Sequence, residues 1–134
     1  MKHIHLQCLK QWLNSKRTQR QSSQIATYCW KQVECELCKL RLPFQIQHHE
    51  RTLDLLDYEK PSKPYYILES VTAQNLKIVH VISKHIVAVG RGLENEIRIT
   101  DISVSRDHAL IRWSRDGNIY VQDLLSKFGS AVQV

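Results

Sequence analysis

Glycine and proline are scarce in this chain of 134 residues, with four of the first and three of the second, and no apolar run is long. Such scarcity excludes a low-complexity segment. The longest apolar stretch, Lys77 to Gly90, is broken by His80, Lys84 and His85, so no run of about twenty apolar residues exists to span a bilayer as a helix. The Met1-Lys2-His3 start lacks an apolar signal core and a small-residue cleavage site. A cytoplasmic or nuclear location is therefore expected, where four cysteines read as metal ligands or free thiols before disulfides. No internal repeat is present, and Ser105 and His108 have no Gly-x-Ser-x-Gly elbow around them, so a nucleophile–base site is unsupported.

What is present is an ordinary globular balance, 43% apolar and 24% charged, which excludes a disordered chain. Nineteen Lys and Arg against thirteen Asp and Glu give a formal net charge of +6. The excess is uneven: residues 1–64 hold eleven basic and six acidic groups, residues 65–134 eight and seven. A nucleic-acid patch is one reading of the basic half. Lys16-Arg17 and Arg20, however, have no interleaved aromatics and no recognition helix after them, which favours a solvated loop. Neither nucleic acid nor a membrane is expected as a partner.

Leu6, Leu9, Trp12 and Leu13 recur at helical spacing and predict an amphipathic helix over roughly His5 to Lys16. Residues 14–27 are Ser-, Gln- and Arg-rich without periodicity and read as an exposed loop. Residues 43–64 turn polar and end in Lys60-Pro61-Ser62-Lys63-Pro64, the texture of a stiff linker. After Pro64 come seven short segments rich in Val, Ile and Tyr: 65–71, 77–82, 86–89, 96–99, 108–113, 118–124 and 131–134. An Asp116-Gly117 turn joins two of them, and the set predicts a mainly β module of sandwich or barrel type.

Two Cys/His pairs stand in the first half. Cys35-x-x-Cys38 has the spacing that turns two sulfurs toward one tetrahedral zinc, and His5-x-x-Cys8 has the same gap. The four residues are equally readable as free thiols and a surface histidine. His5-Leu6-Gln7-Cys8-Leu9-Lys10-Gln11-Trp12, followed by Cys35-Glu36-Leu37-Cys38, resembles the second half of a RING-CH zinc finger, a cross-braced, two-zinc module that recruits ubiquitin-conjugating enzymes. The resemblance implies that His5, Cys8, Cys35 and Cys38 are the fifth to eighth ligands and that Trp12 contacts the conjugating enzyme. The first four ligands would precede Met1, so the zinc ligand set is incomplete. The expectation is either a chain truncated at its N-terminus or one improvised site; Cys29 matches no ligand position.

In the second half Gly90-Arg91 closes one predicted strand and Ser105-Arg106-Asp107-His108 leads into another. Two guanidinium groups and a hydroxyl on neighbouring loops are what a phosphate dianion needs. Val87-Ala88-Val89-Gly90-Arg91, Asn95-Glu96-Ile97, Asp101, Val104-Ser105-Arg106-Asp107-His108-Ala109, Asp123-Leu124, Ser126-Lys127 and Gly129-Ser130 together resemble the forkhead-associated (FHA) domain, a phosphothreonine-binding β-sandwich. On that resemblance Arg91 and Ser105 hold the phosphate and Arg106 assists, with Ser126 and Lys127 beside the peptide. Gly90, Asn95, His108 and Gly129 support the loops. Phe128 stands where the family often has an asparagine that contacts peptide backbone. Residues 65–134 would be an FHA sandwich lacking its last strands, preceded by a partial finger at 1–42 that retains one helix.

Two functions follow from the resemblances. One is a phosphothreonine-peptide adaptor carrying a vestigial finger; the other is a RING-CH ubiquitin-protein ligase that recruits phosphorylated substrates through its FHA domain. The missing ligands favour the adaptor for this chain, because ubiquitin transfer needs a folded finger.

Overall fold

The computed structural model describes residues 4–71 and 76–133, and the chain forms two compact units that part between Ser83 and Lys84. The mainly β class holds in both.

The first unit opens with helix α1 (Leu6–Ser15). No side chain caps its N-terminus and no acidic residue occupies its first turn, so its order comes from packing rather than local signals. Leu9 and Leu13, one turn apart, are buried and meet Leu55, with Trp12, Val33, Leu42 and Ile46 around them. Strands β1 (Thr18–Gln21) and β2 (Ile25–Trp30) follow, then a hairpin of β3 (Gln45–His48) and β4 (Arg51–Asp54), then β5 (Tyr66–Val71) and β6 (Lys77–Ile82). The four-stranded sheet runs β1-β2-β6-β5, antiparallel throughout. Tyr28 and Trp30 of β2 and Val79 and Val81 of β6 form its apolar face with Leu56.

Two readings of this half differ from the observed structure. Residues 14–27, expected as loop, contain β1 and the start of β2. The β1 segment Thr18-Gln19-Arg20-Gln21 is exposed along its whole length, so it carries no apolar alternation to betray it. Its order comes from pairing, Thr18 opposite Cys29 through Gln21 opposite Ala26. The polar stretch 43–64 likewise holds a hairpin, and Leu55 and Leu56 behind it are buried. Asn14 fastens the stretch to α1: its Nδ2 donates to the Leu55 carbonyl at 3.1 Å, and the Asp57 N–H donates to its Oδ1 at 2.9 Å. The end of that stretch, from Leu55 to Pro64, lacks helix or strand.

In the second unit β7 (Ile86–Gly90), β8 (Ile97–Arg98), β9 (Ala109–Trp113) and β10 (Ile119–Asp123) form a sheet of order β10-β9-β7-β8. The β7–β8 pair is parallel, Val89 opposite Ile97 and Gly90 opposite Arg98; the others are antiparallel. Val87, Val89, Ile97 and Ala109 are buried. Gly117 turns the β9–β10 hairpin at φ +87°, a conformation that glycine adopts without a Cβ penalty. Glu96 ties β8 to its neighbour: Oε2 accepts from the Ala88 N–H at 2.8 Å and Oε1 pairs with Lys84. The last expected strand is absent at residues 131–133, and Val134 lies outside the described residues.

Candidate functional site

Three loops of the second unit meet at the end of β7. The approach is set by Gly90. A Cβ built there would stand 2.1 Å from the Arg106 carbonyl oxygen, closer than any real Cβ contact, so only glycine fits. With the side chain absent, the 99–108 loop lies along residues 89–92. The Arg91 N–H donates to the Ser105 carbonyl at 2.9 Å, the Gly92 N–H to the Arg106 carbonyl at 3.0 Å, and the His108 N–H to the Val89 carbonyl at 3.1 Å. Asn95 closes the other side, its Nδ2 donating to the Arg106 carbonyl at 2.7 Å and the Gly92 carbonyl at 3.3 Å.

These bonds bring Arg91, Ser105 and Arg106 together. Arg91 is held through Nε, which donates to the Val104 carbonyl at 3.2 Å, leaving its terminal nitrogens for another acceptor. Val104 is placed by Asp101, whose Oδ1 accepts from the Ser103 N–H and hydroxyl, while its carbonyl accepts the Val104 N–H at 3.1 Å. The Ser103 hydroxyl and N–H hold the Asp101 carboxyl below its usual range. The Ser105 N–H donates to His108 Nδ1 at 3.2 Å, an acceptor role that puts the neutral ring's proton on Nε2. The Ser105 Oγ accepts from the Lys127 N–H at 3.0 Å, so its own O–H remains available to donate.

The third loop, 124–130, is braced by Asp123. Its carboxylate accepts from the Ser126 N–H at 2.8 Å, the Ser126 hydroxyl at 2.7 Å and the Ser130 hydroxyl at 2.6 Å. The Ser130 hydroxyl, then the Ser126 donors, pull the Asp123 pKa down to about 2. Ser126, named above as a peptide contact, thus spends its hydroxyl inside the loop. Lys127 is exposed, with Nζ 5.2 Å from the ring centroid of exposed Phe128. Gly129 takes φ +75° in the same loop. The brace by Asp123 and the hold of Val104 on Arg91 were not assigned from sequence; an Asp three residues before a Ser is the one local signal for the former.

Residues 87–133 match the family model of the FHA domain. Comparison with curated proteins and with solved structures finds no match. The matched FHA stretch begins inside β7 and takes in all three loops of the site, from Arg91 to Ser130. It starts later than the boundary at residue 65 read from the sequence; strand 77–82 pairs with β2, and strand 66–71 pairs with 77–82, in the first unit.

The match does not reach the Cys/His pairs. His5 Nδ1 and Cys8 Sγ lie 3.6 Å apart at the start of α1. Cys35 and Cys38 flank a tight turn closed by Cys35 N–H to the Leu40 carbonyl at 2.8 Å and Lys39 N–H to the Cys35 carbonyl at 2.9 Å. The Cys38 and Leu37 N–H groups lower the Cys35 thiol pKa. Among the described residues no three His, Cys, Asp or Glu side chains gather as a metal-ligating group. Each pair offers two donors where tetrahedral zinc takes four. Trp12 is half-buried against Leu9, Leu13 and Leu55, with Lys16 Nζ 5.7 Å from its ring centroid.

Proposed function

We propose that the second unit reads phosphothreonine in a partner protein, as a non-enzymatic adaptor module. The observation that carries the reading is the joint fixation of Arg91 and Ser105. Backbone bonds hold their loops side by side, Val104 holds the guanidinium at Nε, and Lys127 occupies one acceptor lobe of the Ser105 hydroxyl. A phosphate dianion placed between them receives forked charge-assisted bonds from Arg91 and one bond from the Ser105 O–H, with Arg106 adding charge. Because the donors are ordered before the ligand arrives, binding loses little further side-chain freedom. The family match over residues 87–133 supports the same reading.

The test is a titration of a phosphothreonine peptide against the wild-type chain and Arg91→Ala. The expected result is loss of binding in the variant and weaker wild-type binding as salt rises. Equal binding by both proteins would overturn the reading. The ubiquitin-ligase alternative draws its support from the sequence resemblance around His5, Cys8, Cys35 and Cys38 and from no contact described above.

A further inference from the structure

Beside Arg91 and Arg106 the second unit carries an open depression of about 420 Å³, whose lining includes Arg98, Glu94 and Asp107. At roughly 30 Å³ per liquid water the depression holds on the order of a dozen waters, several times what one phosphate group displaces. Arg98 sits on β8, paired with Gly90, and its Nε donates to the Arg91 carbonyl at 3.2 Å. It is therefore held in the same manner as Arg91, by Nε on a backbone carbonyl, with its terminal nitrogens left over. Neither Glu94 nor Asp107 forms an ion pair with an arginine among the described residues. Three arginines thus line one depression, two of them held through Nε on a backbone carbonyl.

Resting on the phosphothreonine reading, we infer that Arg98 is a selectivity residue for a second anion on the same peptide. The ligand class is a phosphothreonine peptide with a further phosphate or carboxylate a short distance along the chain. The first anion takes Arg91, Ser105 and Arg106; the second takes the Arg98 guanidinium within the depression. The two sources of the second anion share their chemistry and differ in charge. A phosphate gains more than a carboxylate because it presents more acceptor oxygens and nearly twice the charge.

Three peptide sets separate the outcomes: one phosphothreonine among uncharged residues, the same peptide with glutamate moved through the flanking positions, and the same with phosphoserine moved likewise. Each is titrated against wild type, Arg98→Gln, Arg98→Lys and Arg91→Ala, with thermal melts to confirm that the variants fold. Wild type should bind the best doubly anionic peptide about fivefold or more tighter than the singly phosphorylated one. Arg98→Gln should erase that preference while keeping the affinity for the single phosphate within about twofold, and Arg98→Lys should retain part of it. Equal wild-type affinity for all three sets overturns the inference. So does an Arg98→Gln variant that weakens all peptides alike, since Arg98 would then be a third arginine on the one phosphate. Unchanged binding of the single phosphate by Arg91→Ala would instead remove the underlying reading.

Discussion

Replacing Gly90 by alanine tests whether the site depends on backbone approach rather than on its named side chains. The new methyl carbon would start 2.1 Å from the Arg106 carbonyl oxygen, and contacts under 3.0 Å are essentially never seen, so the 99–108 loop has to retreat by about 0.9 Å. Three bonds converge on the carbonyls of Ser105 and Arg106, at 2.9, 3.0 and 2.7 Å. A retreat of that size carries them past the range of a hydrogen bond. At about 1 kcal/mol each, less roughly 0.7 kcal/mol that alanine returns by restricting the unfolded chain, the variant loses about 2 kcal/mol. Phosphothreonine affinity should fall about tenfold or more, because Arg91 and Ser105 no longer sit within reach of one phosphate. Urea unfolding and peptide titration read the two effects. The control is Gly117→Ala, where no atom lies within 4 Å but φ is +87°. It should cost about 1 kcal/mol in backbone strain and leave peptide binding alone. Wild-type affinity in Gly90→Ala would refute the claim that this close approach builds the site.

Two further predictions concern pH. The Asp123 carboxyl is held at about 2 against an ordinary 3.8, so its contribution is fully present above the ordinary value and is lost as pH falls from there toward 2. Acid unfolding followed by circular dichroism should show this slope in wild type, and Asp123→Asn should flatten it. His80, on β6, is pushed below its ordinary value of 6.5 by burial, with Nδ1 2.9 Å from the Thr27 hydroxyl. The unfolded chain then binds the proton more readily, so stability should decline as pH falls through 6.5 toward the lower folded value. Urea unfolding between pH 7.5 and 5.5 checks it, and an unchanged slope in His80→Gln would count against the assignment.

Much of the second unit was legible because its strands are short, rich in Val and Ile, and bounded by turn residues. The segment read as 86–89 is β7 at 86–90, that read as 108–113 is β9 at 109–113, and that read as 118–124 is β10 at 119–123. Partner choice was not legible. Residues 65–71 and 77–82 look like the strands after them, and nothing in their local pattern shows that they join the sheet of β2, 77–82 pairing with β2 and 66–71 with 77–82. The β1 strand was invisible for a different reason: an exposed edge strand needs only backbone to pair, and its side chains are free to be polar. In 43–64 the apolar residues Ile46, Leu53, Leu55 and Leu56 were outweighed by polar neighbours, although Leu55 and Leu56 are buried. The spacing of Cys35 and Cys38 allows two sulfurs to face one ion but says nothing of convergence with His5 and Cys8, which depends on the path of the chain between them.

The same distinction separates what the site motif revealed from what it concealed. Arg91, Ser105 and Arg106 are side chains of a type that can donate to a phosphate. Their capacity to act together rests on atoms that every residue has: the carbonyls of Val104, Ser105 and Arg106 and the amides of Arg91, Gly92 and Lys127. Those groups leave no mark in composition beyond the glycine that lets them approach. No polar or charged residue is buried among the described ones, so the site has no deep ionic network to hold it. Each of its bonds is individually weak, and rigidity comes from their number on one short stretch of backbone. A binding site made this way tolerates exchange of exposed side chains around it, such as Phe128, far better than any change at Gly90.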